Sequence, residues 1–175
     1  GIEDYAVQFG HASNDVYKMG VASLPNREGD VISLEEHYRS HPLIIGFSNK
    51  HIYQKTLKLR REPFTTEMSS YPPGIYVEEI TGGELQSRGS SWINEQEARS
   101  VIDLISRIKE QSGPRSIGIV TPFAPQRDRL EELLQSSGFG NNVEVNTVHG
   151  FQGGEKDIII FSPVAGPGMK DGTLA

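Results

Sequence analysis

Cysteine is absent from the 175 residues, so neither a disulfide framework nor a thiolate metal site can be built, and the expected setting is an intracellular, reducing compartment. Long apolar runs are missing too. Nothing approaches the ~18 residues that a membrane-spanning helix needs, and the N-terminus lacks the basic and apolar regions of a signal peptide. The chain reads as soluble, with no membrane partner. Positive charge is in the minority: 17 Lys and Arg stand against 23 Asp and Glu, a net charge of −6. That balance argues against a surface that grips nucleic acid all over and leaves room for local basic patches. No internal repeat or low-complexity tract interrupts the chain.

At this length about one domain is expected, burying roughly two thirds of its unfolded surface. Residues 1–30 carry no sustained period and are expected to connect, with a turn at 26–30; residues 31–34 offer a short strand. From 43 to 57, Ile44, Phe47 and His51, with Ile45 and Ile52 offset, recur at helical intervals behind Pro42, a residue suited to a first turn. Residues 39–61 hold six Lys or Arg and no acid. A solvated helix face explains such a block, and so does a patch facing phosphate. After a break at 69–74, residues 75–80 read as a strand and 82–91 as a polar loop.

The signal sharpens in the second half. Asn94 and Glu97 resemble a capping box ahead of one apolar stripe, Ala98, Val101, Ile102, Ile105 and Ile108, and that helix stops at Gly113-Pro114. Residues 117–121 form a buried strand and 125–137 a helix with Leu130, Leu133 and Leu134 inward. Strands follow at 143–148 and 157–162, the last with both faces expected to be covered. Strand, helix, strand, helix, strand predicts a parallel sheet with helices on its faces, an α/β domain of the doubly wound type. In such sheets ligands bind at the carboxyl ends of the strands. TPFAPQ at 121–126 leaves one such end and TVHG at 147–150 another, so both belong on one rim. Hydroxyls and exposed amides there suit phosphate oxygens, although Thr121 and Thr147 can equally well do no more than finish their strands.

Three motifs taken in order carry a resemblance: YRSHP at 38–42, TPFAPQ at 121–126 and VHGFQGGEKD at 148–157. Together they look like the second motor domain of a superfamily 1 helicase, in the branch that includes the nonsense-decay RNA helicase and related DNA nuclease-helicases. The similarity covers about residues 31–164. It implies a RecA-like three-layer domain of the P-loop NTPase fold, a mainly parallel sheet flanked by helices. ATP would sit between two such domains, and single-stranded DNA or RNA would run across both. Residue by residue, the resemblance implies that Tyr38 packs against adenine and that Arg39 is the catalytic finger reaching the γ-phosphate. Gln152, Gly153 and Glu155 would lie near the nucleotide, with Glu155 accepting from a ribose hydroxyl. Thr121, Pro122, Gln126, Thr147 and His149 would serve the nucleic-acid side. The residues by themselves allow plainer roles: Tyr38 as a strand-end aromatic, Arg39 as an ion-pair partner, Gln126 as a solvent-facing residue in the first turn of its helix. His41 reads as a support for its turn rather than a metal ligand. Gly154 departs from the family, which commonly places arginine there.

There is no G-x-x-x-x-G-K-[ST] loop and no strand-borne acidic pair for magnesium. The resemblance assigns both to a first motor domain, so ATP and Mg2+ belong to the parent protein, with Mg2+ held by that missing domain and no cofactor tightly bound here. The expected organisation is a connecting segment at 1–30 and a motor domain at 31–175 that stops before the family's final arginine motif. A monomeric, cytoplasmic fragment without turnover of its own is expected, from a parent moving 5′ to 3′. The alternative is a non-motor nucleic-acid-binding or regulatory module that keeps the fold. An unrelated doubly wound metabolic enzyme would instead ignore oligonucleotides.

Overall fold

The strand Ile117–Thr121 stands between two parallel neighbours, Val143–Thr147 and Ile158–Phe161. This arrangement comes from a computed structural model that describes residues 15–25, 29–60, 71–81, 83–89, 91–112, 114–140 and 142–166. The chain divides into two units, Gly1–Phe64 and Thr65–Ala175.

In the first unit, helix α1 (Val16–Ala22) starts at Asp15, whose carboxylate accepts from Lys18 N–H at 2.8 Å. Residues 31–34, expected as a strand, are not paired; pairing begins at β1 (Glu36–His37), which lies parallel to β2 (Lys58–Leu59). Helix α2 (Pro42–His51) joins them. Its N-cap is His41, whose Nδ1 accepts from Leu43 N–H at 3.2 Å, and Pro42 fills the first turn as predicted. The helix ends at His51, short of the expected residue 57. There the chain reverses through Gln54 and Lys55, both at positive φ. Asn49 holds the return by bonding Leu57 twice, from Nδ2 to the carbonyl at 3.1 Å and from the amide to Oδ1 at 3.0 Å. Apolar spacing could not announce that stop, because it comes from a side chain closing on backbone eight residues away.

The second unit opens with two departures from expectation. Residues 75–80 belong to no strand, and the predicted polar loop at 82–91 contains half of a hairpin: β3 (Leu85–Arg88) pairs antiparallel with β4 (Ser91–Asn94), turning at Gly89. Side-chain character does not reveal whether a neighbouring backbone is present to pair with. The remaining elements match the sequence reading closely: α3 (Glu95–Ser112), β5 (Ile117–Thr121), α4 (Ala124–Ser136), β6 (Val143–Thr147) and β7 (Ile158–Phe161), with β5 central.

The pleat puts Ile117, Ile119, Val143, Val145, Ile158 and Ile160 on one face of this sheet. Ala98, Val101, Ile105 and Ile108 of α3 and Leu130 and Leu134 of α4 pack onto it in one buried cluster. Each fully buried aliphatic side chain there contributes about 1.5–3 kcal/mol. Arg129 of α4 bridges to Glu95 at the start of α3 through two 2.7 Å bonds. Those bonds and burial act in opposite directions, and the guanidinium wins, holding Glu95 below the usual carboxylate range. The opposite face differs from expectation. Phe151 and Lys156 cover it at Gly118, whereas Ile159 and Phe161 of β7 are 49% and 58% exposed. An all-apolar strand does not say how many of its faces find cover, and within this unit both helices lie on the other side.

Candidate functional site

Tyr38 and Arg39 follow directly from β1 and are both exposed. Their placement depends on the β1–β2 pairing, which sets Glu36 opposite Lys58. Tyr38 Oη donates to Glu36 Oε2, while Arg60 grips Glu36 Oε1 from Nε at 3.0 Å and Nη2 at 2.8 Å. The tyrosine bond and then Arg60 hold the Glu36 carboxyl below its usual range, and Glu36 in turn raises the Tyr38 phenol. The ring is thus 61% exposed while its hydroxyl is tethered. Behind it, His37 Nε2 accepts from Ser40 N–H at 3.0 Å, fixing the bend between β1 and α2. The basic block at 39–61 is partly neutralised by acids just ahead of it, Lys58 meeting Glu35 at 2.8 Å and Arg60 meeting Glu36. Glu36 and Arg60 went unassigned in the sequence reading. The signal was the Glu35-Glu36 pair flanking a block that itself has no acid.

In the second unit the strand ends form one rim, as the topology predicted. Thr121 and Thr147 are register partners, Val148 N–H donates to Thr121 O at 3.1 Å, and Ser162 N–H donates to Val120 O at 2.9 Å. Thr147 then holds the turn that follows: its carbonyl accepts from Phe151 N–H at 2.9 Å and its Oγ1 from Gly150 N–H at 3.3 Å. His149 stands exposed on that turn, and Gln152, Gly153 and Glu155 are exposed beyond it. Gly153 has φ 86°, a left-handed value that a side-chain-bearing residue adopts at a cost. The loop is tied down at both ends. Phe151 packs on Gly118, Lys156 pairs with Glu144 at 2.7 Å, and Asp157 Oδ2 accepts from Ser116 N–H and Oγ–H at 2.9 and 2.6 Å. The structure therefore brings Thr147, His149, Gln152, Gly153 and Glu155 onto one short anchored loop beside the rim.

Two residues expected to meet nucleic acid do not reach the surface. Thr121 and Gln126 are both 0% exposed. Gln126 is not the solvent-facing residue that its helix position also allowed, because its carboxamide is consumed internally. Oε1 accepts from Asn94 N–H at 3.0 Å, and Nε2 donates to Asn94 O at 3.3 Å and Ser162 Oγ at 3.1 Å. Pro122 is half-buried and Thr147 partly so; His149 alone of that group is exposed. The expected capping box is half present. Glu97 N–H donates to Asn94 Oδ1 at 3.0 Å, but the Glu97 carboxylate turns inward to Ser162 and Val164 instead of back to Asn94. Among the described residues no group of three or more His, Cys, Asp or Glu side chains could hold a metal ion, and no helix is long and apolar enough to cross a membrane.

Known proteins with this pattern are consistent with one another. The AAA domain family matches residues 18–172. Probable helicase senataxin of Mus musculus is 34% identical over 140 residues, which are 77% of this chain and 5% of that protein. A putative regulator of nonsense transcripts 1 from Takifugu rubripes is 34% identical over 149 residues, 76% of this chain and 13% of the relative. The ATP-dependent helicase NAM7 of Saccharomyces cerevisiae is 30% identical over 147 residues, 76% of this chain and 15% of the relative. The chain thus spans between 5% and 15% of the length of these relatives. With its parallel sheet, its rim and its three motifs in order, the chain belongs to the AAA domain family of superfamily 1 helicases, in the branch that includes the nonsense-decay RNA helicase, and has its RecA-like α/β fold.

Proposed function

We propose that this chain is the second motor domain of an ATP-dependent helicase and works against a first RecA-like domain of the same parent protein. The observation that carries the reading is Tyr38, an aromatic face open to solvent whose hydroxyl is held by Glu36 and, through it, by Arg60. A ring fixed in this way stacks on adenine with little rotamer freedom left to lose. Arg39, the next residue, supplies a permanently charged planar fork to the γ-phosphate, a role worth roughly three to five powers of ten in rate in NTPases. Gln152 and Gly153 line the nucleotide, and Glu155 accepts from a ribose hydroxyl, since a carboxylate repels phosphate.

On the rim, Pro122, Thr147 and His149 meet the sugar-phosphate backbone of single-stranded DNA or RNA, contacts suited to movement without regard to sequence. Thr121 acts from beneath as a strand end. Among the described residues no group of three or more His, Cys, Asp or Glu side chains is gathered, and the ligands of the Mg2+ ion that accompanies ATP are assigned to the first motor domain. ATP, when bound, supplies the phosphoryl transfer that opens and closes the cleft; this chain's residues orient it and offset developing charge. The parent works in the cytoplasm, and the piece alone is a monomer without turnover. Relatives named as helicases, one of them as ATP-dependent, support this reading.

The test is Arg39→Ala in the parent protein. ATP affinity should stay within severalfold while turnover falls by about two powers of ten or more. Normal turnover rejects the finger, and a parent whose turnover ignores single strands altogether points to the non-motor module.

A further inference from the structure

Gln126 carries a motif signature yet touches no solvent, and Val164, which the motifs leave unassigned, adopts φ 58° while 0% exposed. A β-branched residue in the left-handed region is strained and persists only where its surroundings hold it. The holder here is Glu97: its Oε1 accepts from Val164 N–H at 3.0 Å and from the Ser162 hydroxyl. Ser162 Oγ in turn accepts from Gln126 Nε2, and Gln126 grips both backbone groups of Asn94, whose side chain caps Glu97 N–H. Asn94, Glu97, Gln126 and Ser162 are each 5% exposed or less. A buried network of this kind rigidifies when every member is satisfied and fails as a unit when one is removed.

The network joins three places: the start of α3, the first turn of α4 just behind Pro122, and the exit of β7, which flanks the rim through Ser162 and Val120. We propose that Gln126 is a positioning residue for the motor: through Ser162 and Glu97 it holds the strained exit of β7 and thereby sets the strand-contacting rim, without itself touching nucleic acid. The inference rests on the motor reading for its effect on turnover but not for its structural half.

Two measurements on the parent protein separate these. The first is hydrogen exchange at the Val164 amide. In Gln126→Leu its protection should fall toward that of an exposed loop while α3 and β5 stay protected; unchanged Val164 protection overturns the proposal. The second is strand-stimulated ATP turnover. Gln126→Leu should lower it on the order of tenfold or more, because the rim is no longer held in place. Glu97→Leu should reproduce the loss, and Glu97→Gln, which keeps an acceptor oxygen for Val164 and Ser162, should rescue most of it. Full turnover in Glu97→Leu beside a loss in Gln126→Leu makes Gln126 a strand contact after all and overturns the proposal, as does undiminished turnover in Gln126→Leu. If the unsubstituted parent shows no strand-stimulated turnover, the motor reading fails, and the exchange result still decides the network.

Discussion

The ring of Phe151 occupies the place that a Cβ on Gly118 would take, with Lys156 Cγ 3.0 Å from the same point. A glycine in the central strand is therefore what lets the 148–156 loop lie against the sheet. Gly118→Ala should push the ring off, at a cost of about 1–3 kcal/mol in stability from overpacking. Denaturant unfolding should show a lower midpoint with an unchanged slope. Pairing it with Phe151→Leu should recover part of the loss, a coupling of about 0.5–3 kcal/mol. Strict additivity would show that ring and strand do not press on each other.

Glu36 and Tyr38 set opposite limits on the pH range of the tethered ring. The folded Glu36 carboxyl titrates below its unfolded value, chiefly because Tyr38 donates to it and then because of Arg60. Its stabilisation is present above the unfolded pKa and is lost as pH falls through the depressed folded value. The Tyr38 phenol is raised, chiefly by the same bond, so its contribution holds below the unfolded pKa and is lost as pH rises through the raised folded value. The tether should be intact across the neutral range and released at both extremes. Following the Tyr38 phenol by NMR in Glu36→Gln should show it titrating nearer the ordinary phenol range. A Tyr38 titration that does not move would remove Glu36 as the holder.

Removing the Tyr38 hydroxyl and removing its ring should have different effects on ATP use by the parent. Tyr38→Phe keeps the stacking face and frees its edge, so the Michaelis constant for ATP should rise only severalfold. Tyr38→Ala should raise it further, on the order of tenfold, with kcat changed less, since stacking on a base is worth about 1–3 kcal/mol. Equal constants for the two variants would mean that the face itself contributes nothing.

Much of this molecule is legible in its order of residues. The stripe from Ala98 to Ile108 and the apolar runs at 117–121 and 143–147 give α3, β5 and β6 directly, because helix and strand periods are local and the burial they demand is large. Alternating strands and helices then fix a parallel sheet, and with it a rim shared by Thr121 and Thr147. The motifs likewise locate Tyr38, Arg39 and the 147–155 loop before any coordinate is known. Tertiary structure alone decided which of those residues face outward. Thr121 and Gln126 sit in motif positions next to Pro122, yet both are enclosed, since a carboxamide finds better partners in the orphan backbone groups of Asn94 than in water. It also decided that Glu36 and Arg60, 24 positions apart, share one ion pair, that Glu97 leaves its capping box for Val164, and that β7 keeps one face open. These outcomes depend on which distant groups arrive within hydrogen-bond reach, and local propensity carries no information about that meeting.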